Sequence, residues 1–273
     1  MIERDPNSLP GKVRQVTTTK SDTIPEPRPA ATILLLRDEP AFEVLMVKRH
    51  HQIDFASGAL VFPGGKTDPE DGNPGWRDHA LGWDRFDPIQ RELRVAAIRE
   101  VFEEAGILVA DDRAGEPFGE VCDPSVRAAV DRKEASFLDV VRNLQVQLTL
   151  DALTVFARWI TPAFMPKRFD TFFYAVTAPE NQVAACDGHE AVDAEWIAPA
   201  EALRLADRGE RTIIFPTRMN LKLLAEARSA ADAVTRAKGR RLVTVLPELV
   251  ERDGRRLLTI PADAGYGAVT EPV

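Results

Sequence analysis

Three glutamates carry the strongest chemical signal in this 273-residue chain. Glu100, Glu103 and Glu104 lie in "RVAAIREVFEEAGI" (94–107), at spacings i, i+3 and i+4. On a helix such positions share one face, with β-carbons about 5–6 Å apart. Val95, Ile98, Val101, Phe102 and Ala105 lie mainly toward the other side. A helix with one apolar face on a sheet and three carboxylates along its edge can hold hard divalent cations, because Mg²⁺ takes oxygen ligands completed by water and phosphate. The same side chains can equally form a solvated face, since repulsion between exposed glutamates costs only about 0.2–0.5 kcal/mol per pair.

Two neighbouring features bear on that choice. Phe62-Pro63-Gly64-Gly65 ends a predicted strand, and successive glycines allow amides to come close to a ligand; a simple tight turn is the alternative. Gly106 follows the helix and is succeeded at once by Ile107-Leu108-Val109. Such a glycine stop holds the carboxylate face in fixed relation to the sheet.

The elements that must position these residues are legible around them. "AATILLLRD" (30–38) and "AFEVLMVKRH" (41–50) read as paired strands, and "GALVFPGGK" (58–66) as a third. Residues 67–88, rich in Asp, Gly, Pro and Trp, are expected to form a long loop. A helix is predicted over 87–106, with Asp87 as its cap, Pro88 in its first turn and Val95, Ile98, Phe102 and Ala105 as its apolar stripe. Two short helices are expected in 124–146, strands at 153–162 and 168–178, a strand and then a helix from Pro199, and helix over 216–238. A hairpin around Asp253-Gly254 closes the chain. Interspersed strands and helices favour a mixed α/β sandwich. The expected organisation is a disordered tail (1–28), one domain (29–240) carrying the 67–88 insertion, and a C-terminal hairpin segment (241–273) packed on that domain.

These residues together resemble the Nudix hydrolases, whose signature is G-x5-E-x7-R-E-U-x-E-E-x-G-U, with U a bulky apolar residue. Gly65 matches its opening, and Arg99, Glu100, Val101, Glu103, Glu104, Gly106 and Ile107 match its second half. The signature places its arginine 14 positions after the glycine; here Gly65 and Arg99 are 34 apart, an insertion of 20. Its first acidic position is therefore open. Counting forward from Gly65 gives Asp71, and counting back from Arg99 gives Arg91, one place from Glu92. The long insertion resembles the coenzyme A diphosphatase-like branch.

The resemblance implies a Nudix-like α/β/α sandwich with a mixed sheet, to which this chain adds helices and a C-terminal hairpin. It implies hydrolysis of a diphosphate bond in a nucleoside diphosphate derivative, coenzyme A or acyl-coenzyme A first, with ADP-ribose or a dinucleotide as the alternative. A non-catalytic ligand sensor is the reading from another class. Mg²⁺ is the implied cofactor, with Mn²⁺ as a substitute, held by Glu100, Glu103, Glu104 and Gly65. Arg99 is implied as an organiser bonded to a glutamate, and Glu190, six residues before Trp196, as a further catalytic carboxylate or a plain loop residue. Arg49, Phe62, Pro63, Gly64, Gly65 and Arg168 are assigned to substrate binding; Arg168, with Phe169 and Asp170, can alternatively just begin a strand. In the branch's upstream pattern an expected arginine falls on Asp54, a reversal of charge.

Composition narrows the partners. The formal net charge of −8 and pI near 5.2 argue against a nucleic-acid backbone partner. No apolar run approaches the roughly 20 residues that span a bilayer, and "MIERDPNSLPGKVRQ" lacks a secretory apolar segment. Cys122 and Cys186 make neither a zinc motif nor a disulfide framework. A cytoplasmic address follows by default, and residues 67–88 leave a lid or a homodimer contact open.

Overall fold

The strand Arg28–Arg37 (β1) dictates much of the architecture. Ala31, Ile33 and Leu35 are buried on one side of it, and Leu34 and Leu36 on the other. A strand that is apolar on both sides must be covered on both faces. The computed structural model, which describes residues 14–15, 24–49, 58–120, 122–186 and 191–272, shows that covering. The other strands of the main sheet are β2 (Glu43–Arg49), β3 (Leu60–Val61), β4 (Gly64–Lys66), β5 (Thr154–Ile160), β6 (Phe169–Thr177), β7 (Ala191–Ile197) and β8 (Thr244–Val245). Their order is β7-β2-β1-β6-β5-β8, with β3 added to β2 and β4 to β1. β1 runs parallel to β6 from Arg28↔Phe169 to Leu36↔Thr177, and β5 runs parallel to β8. The remaining pairs are antiparallel, so the sheet is mixed.

Helices α1 (Pro88–Ala105), α2 (Pro124–Asp131) and α3 (Phe137–Leu144) cover the Ile33 face. Helices α4 (Pro199–Asp207), α5 (Phe215–Leu224) and α6 (Ala230–Gly239) cover the Leu34 face. The expected α/β/α sandwich is what forms. The expected hairpin also forms, between Glu248–Arg252 and Arg255–Thr259. Asp253 and Gly254 both have positive φ (53° and 73°), which suits the twist of a two-residue hairpin turn. Thr270–Pro272 adds a strand on one side of this hairpin, and Arg14–Gln15 pairs with Val250 and Glu251 on the other. Among the described residues no helix is long and apolar enough to cross a membrane.

Three local readings need correction. The predicted third strand is two short ones, because the chain leaves β2 at Val61 and joins β1 at Gly64. Pro63, with no amide hydrogen to give, sits at that crossing, and its carbonyl accepts from the Ile33 amide at 2.9 Å. The helix predicted over 216–238 is broken into α5 and α6, the second capped by the Ser229 side chain. Residues 67–88 are not an unstructured loop. They wind into 3₁₀ turns at Pro69–Gly72, Pro74–Asp78 and Trp83–Arg85. Asp68 and Asn73 cap the first two, with proline at each first position. Trp76 and Trp83 are buried; the Trp76 ring meets Phe137 at 5.5 Å, and Phe137 meets Phe102 of α1 at the same distance.

Candidate active site

Helix α1 has the predicted ends. The Asp87 side chain accepts from the Gln90 amide at 2.9 Å, and Gly106 takes a left-handed conformation (φ 72°) just past Ala105. Val95, Ile98, Phe102 and Ala105 are fully buried. Burial also extends around the helix to the acidic side: Glu100 is 8% exposed and Glu104 is 3%. These carboxylates are therefore not a solvated face. Their surroundings must satisfy them.

The diglycine bend does part of that. The Gly64 amide donates to Glu104 Oε2 at 3.0 Å. A β-carbon on Gly65 would lie 2.5 Å from both carboxylate oxygens of Glu100, so the missing side chain is the space that carboxylate uses. Gly64 is needed for another reason. A β-carbon there would meet Ala31 O at 2.5 Å and Thr32 Cα at 2.7 Å, which would push β4 off β1.

Arg99 supplies the rest. Its Nη1 donates to Glu100 Oε1 and to Glu103 Oε2, both at 2.9 Å. Its Nε and Nη2 donate to the two Asp71 oxygens at 2.8 and 3.0 Å, and Nη2 also reaches the Lys66 carbonyl at 2.9 Å. Burial alone would lower the Arg99 pKa, but the Asp71 hydrogen bonds and the charges of Glu100, Asp71 and Glu103 outweigh it and hold the guanidinium charged. Burial pushes the Glu103 carboxyl above the usual range, against the pull of Arg99. Burial likewise pushes Asp71 up, and the paired bonds from Arg99 oppose it.

Asp71 is the residue that sequence reasoning left without a role. It is 1% exposed, and its Oδ2 accepts from the Asp68 amide at 2.7 Å within the first 3₁₀ turn. Counting forward from Gly65 finds it; the length of the insertion obscures it when counting back from Arg99. The insertion thus enters after the acidic position, not before it.

The structure brings Arg99, Glu100, Glu103, Glu104, Gly64 and Gly65 together. The other predicted site residues make contacts of their own or fall outside the described side chains. The Phe62 side chain is buried with Leu60 and Met46 on the opposite face of the sheet. Arg168 donates to the carbonyls of Thr161 (3.0 Å) and Pro25 (2.8 Å), and Asp170 pairs with Arg158. Arg49 ends β2, opposite Ala191. Glu190, Asp54 and His189 lie outside the described residues. Among the described residues no three Asp, Glu, His or Cys side chains are drawn into a ready metal-ligand set. Arg99 holds Glu100 and Glu103, while Gly64 holds Glu104.

Comparison with known proteins agrees with this geometry. Residues 84–223, about half the chain, match the family model described as the NUDT19 Nudix domain. The human acyl-coenzyme A diphosphatase NUDT19 is 26% identical over 260 residues, covering 79% of this chain and 69% of that protein. The Xenopus laevis protein of the same name is 25% identical over 205 residues, covering 59% of this chain and 54% of its own length. Among solved structures, a NUDIX hydrolase from Alicyclobacillus acidocaldarius superposes with a TM-score of 0.67 at 28% identity, over 77% of this chain and 96% of that one. With the signature's carboxylate helix docked on its diglycine bend, the chain belongs to the Nudix hydrolases, in the NUDT19 branch, and is a pyrophosphohydrolase.

Proposed function

We propose that this enzyme hydrolyses the diphosphate of coenzyme A or an acyl-coenzyme A, with Mg²⁺ as cofactor and Mn²⁺ as a substitute. The observation that carries the reading is the junction of Glu100 and Glu104 with Gly65 and Gly64, locked by Arg99. The names of the NUDT19 relatives support the substrate class.

The donor set suits the metal. Carboxylate oxygens are the hard ligands that Mg²⁺ prefers, and the single positive charge of Arg99 is shared by Asp71, Glu100 and Glu103. Glu100, Glu103 and Glu104 would hold the ion. Once bound, it would neutralise charge on the diphosphate and acidify the attacking water. Arg99 sets the angle of two of these carboxylates, and Glu100 or Glu103 orients the water or takes its proton. Water adds to one phosphorus, and the bridging oxygen leaves with the other phosphate.

The test is a panel of coenzyme A, acyl-coenzyme A, ADP-ribose and a dinucleotide with Mg²⁺, run in ¹⁸O-labelled water with products weighed by mass spectrometry. Release of a phosphopantetheine product, with one label on one fragment, is expected. Inertness toward coenzyme A alongside turnover of ADP-ribose overturns the substrate assignment.

A further inference from the structure

We infer that Lys133, on the exposed turn after α2, is a positioning residue for the reaction, acting through Asp68 and Asp71 on Arg99. The inference rests on the hydrolytic reading above. Lys133 Nζ lies 2.5 Å from Asp68 Oδ2, although the lysine side chain is 78% exposed and stands 65 positions later in the chain. Asp68 caps the first turn of the insertion, accepting from the Glu70 amide through its other oxygen. Its own amide donates to Asp71, and Asp71 receives both arms of Arg99. Arg99 in turn holds Glu100 and Glu103. The path from the surface to the reacting carboxylates is an ion pair at each end, joined by the backbone amide of Asp68 in the middle.

Two features mark the contact as built. Lys133 has a left-handed backbone (φ 57°), an uncommon conformation for a side chain-bearing residue, and its amide is held by the Val130 carbonyl at 2.8 Å. The insertion also rests on the same region through Trp76 and Phe137. Trp76 stands in the second turn and donates its indole N–H to the Glu70 carbonyl at 2.9 Å. The first turn, which holds Asp71, is thus fastened from that side as well as by Lys133. A plain surface ion pair would contribute a little stability and nothing else.

The full chain is compared with K133M, K133R, D68N and the K133M/D68N double variant, using coenzyme A and Mg²⁺. K133M and D68N should each lower kcat about two- to fivefold, the scale of one exposed ion pair. KM should stay unchanged, the Mg²⁺ needed for half-maximal rate should rise, and K133R should restore activity. The double variant should be no worse than either single one, because both cut the same path. Amide hydrogen exchange over 64–71 should quicken in K133M, a readout that needs no turnover. Wild-type kcat and Mg²⁺ dependence in K133M, with an active wild type, overturn the inference. Multiplied losses in the double variant do the same. If the wild type itself is inert, the hydrolytic reading fails instead, and unchanged exchange in K133M then rejects the mechanical link as well.

Discussion

The carboxylate of Glu104 accepts a 3.0 Å hydrogen bond from the amide of Gly64, forty positions earlier. That bond ties the end of the acidic helix to a bend in the sheet, so the reactive edge is fixed from both sides. The consequences are measurable.

Glu103→Gln keeps the shape of the side chain and removes its charge. Because Glu103 shares Arg99 Nη1 with Glu100, the variant should fold and bind substrate. Its kcat should drop by about 10²–10³, typical of losing a group that organises transition-state charge. Turnover within twofold of wild type would remove Glu103 from the machinery.

The two glycines should fail differently. Gly65→Ala sets a methyl against the Glu100 carboxylate, so kcat should fall about a hundredfold with only a small loss of stability. Gly64→Ala meets backbone atoms of Ala31 and Thr32, and urea unfolding should show a loss of about 1–3 kcal/mol. Identical stability and activity profiles for the two variants would refute the division of labour.

Asp71→Ala leaves the buried Arg99 guanidinium without its bidentate partner. Urea unfolding should register about 3–5 kcal/mol, the usual cost of breaking a buried pair from one side. A loss below about 1 kcal/mol would mean that Arg99 is held well enough by Lys66 and the glutamates alone.

The raised pKa of Glu103 gives a pH signature. A carboxyl that binds its proton more tightly when folded favours the native state most at low pH. Its contribution is complete below the usual glutamate value near 4.5 and is lost as pH rises through the folded value. In chelator, Tm of the wild type should decline over that window, and Glu103→Gln should flatten the decline. Added Mg²⁺ should raise Tm of the wild type more than that of the variant at pH 8. Parallel curves for the two proteins, with and without Mg²⁺, would contradict a metal role for this side chain.

Much of this arrangement could be read from the chain. Helix α1, its caps and its stripe follow from period and end signals, and the sandwich follows from interspersed strands and helices. The depth of Glu100 and Glu104 did not follow, because helical spacing says which residues share a face but not how closely another strand approaches it. The turns in 67–88 do carry a local signal: Asp68-Pro69 and Asn73-Pro74 are each a capping residue followed by a proline suited to a first turn. Asp71 was hidden for a related reason, since only the folded insertion shows which end of it holds the acidic position. Phe62 shows the opposite limit. Its neighbours in sequence reach the site, while alternation across the sheet sends its ring to the other side.

The parallel pairing of β1 with β6 has a kinetic side. Contacts between Arg28–Leu36 and Phe169–Thr177 close a loop that contains the diglycine bend, the insertion and α1. Closing so long a loop costs chain entropy before any strand contact repays it, so this step belongs late in folding. Until it occurs, α1 and the first 3₁₀ turn can form locally, but β1 lacks its central neighbour and offers β4 a poor template. Refolding should therefore recover helical signal well before catalytic competence, with enzymatic activity returning only as the centre of the sheet zips shut.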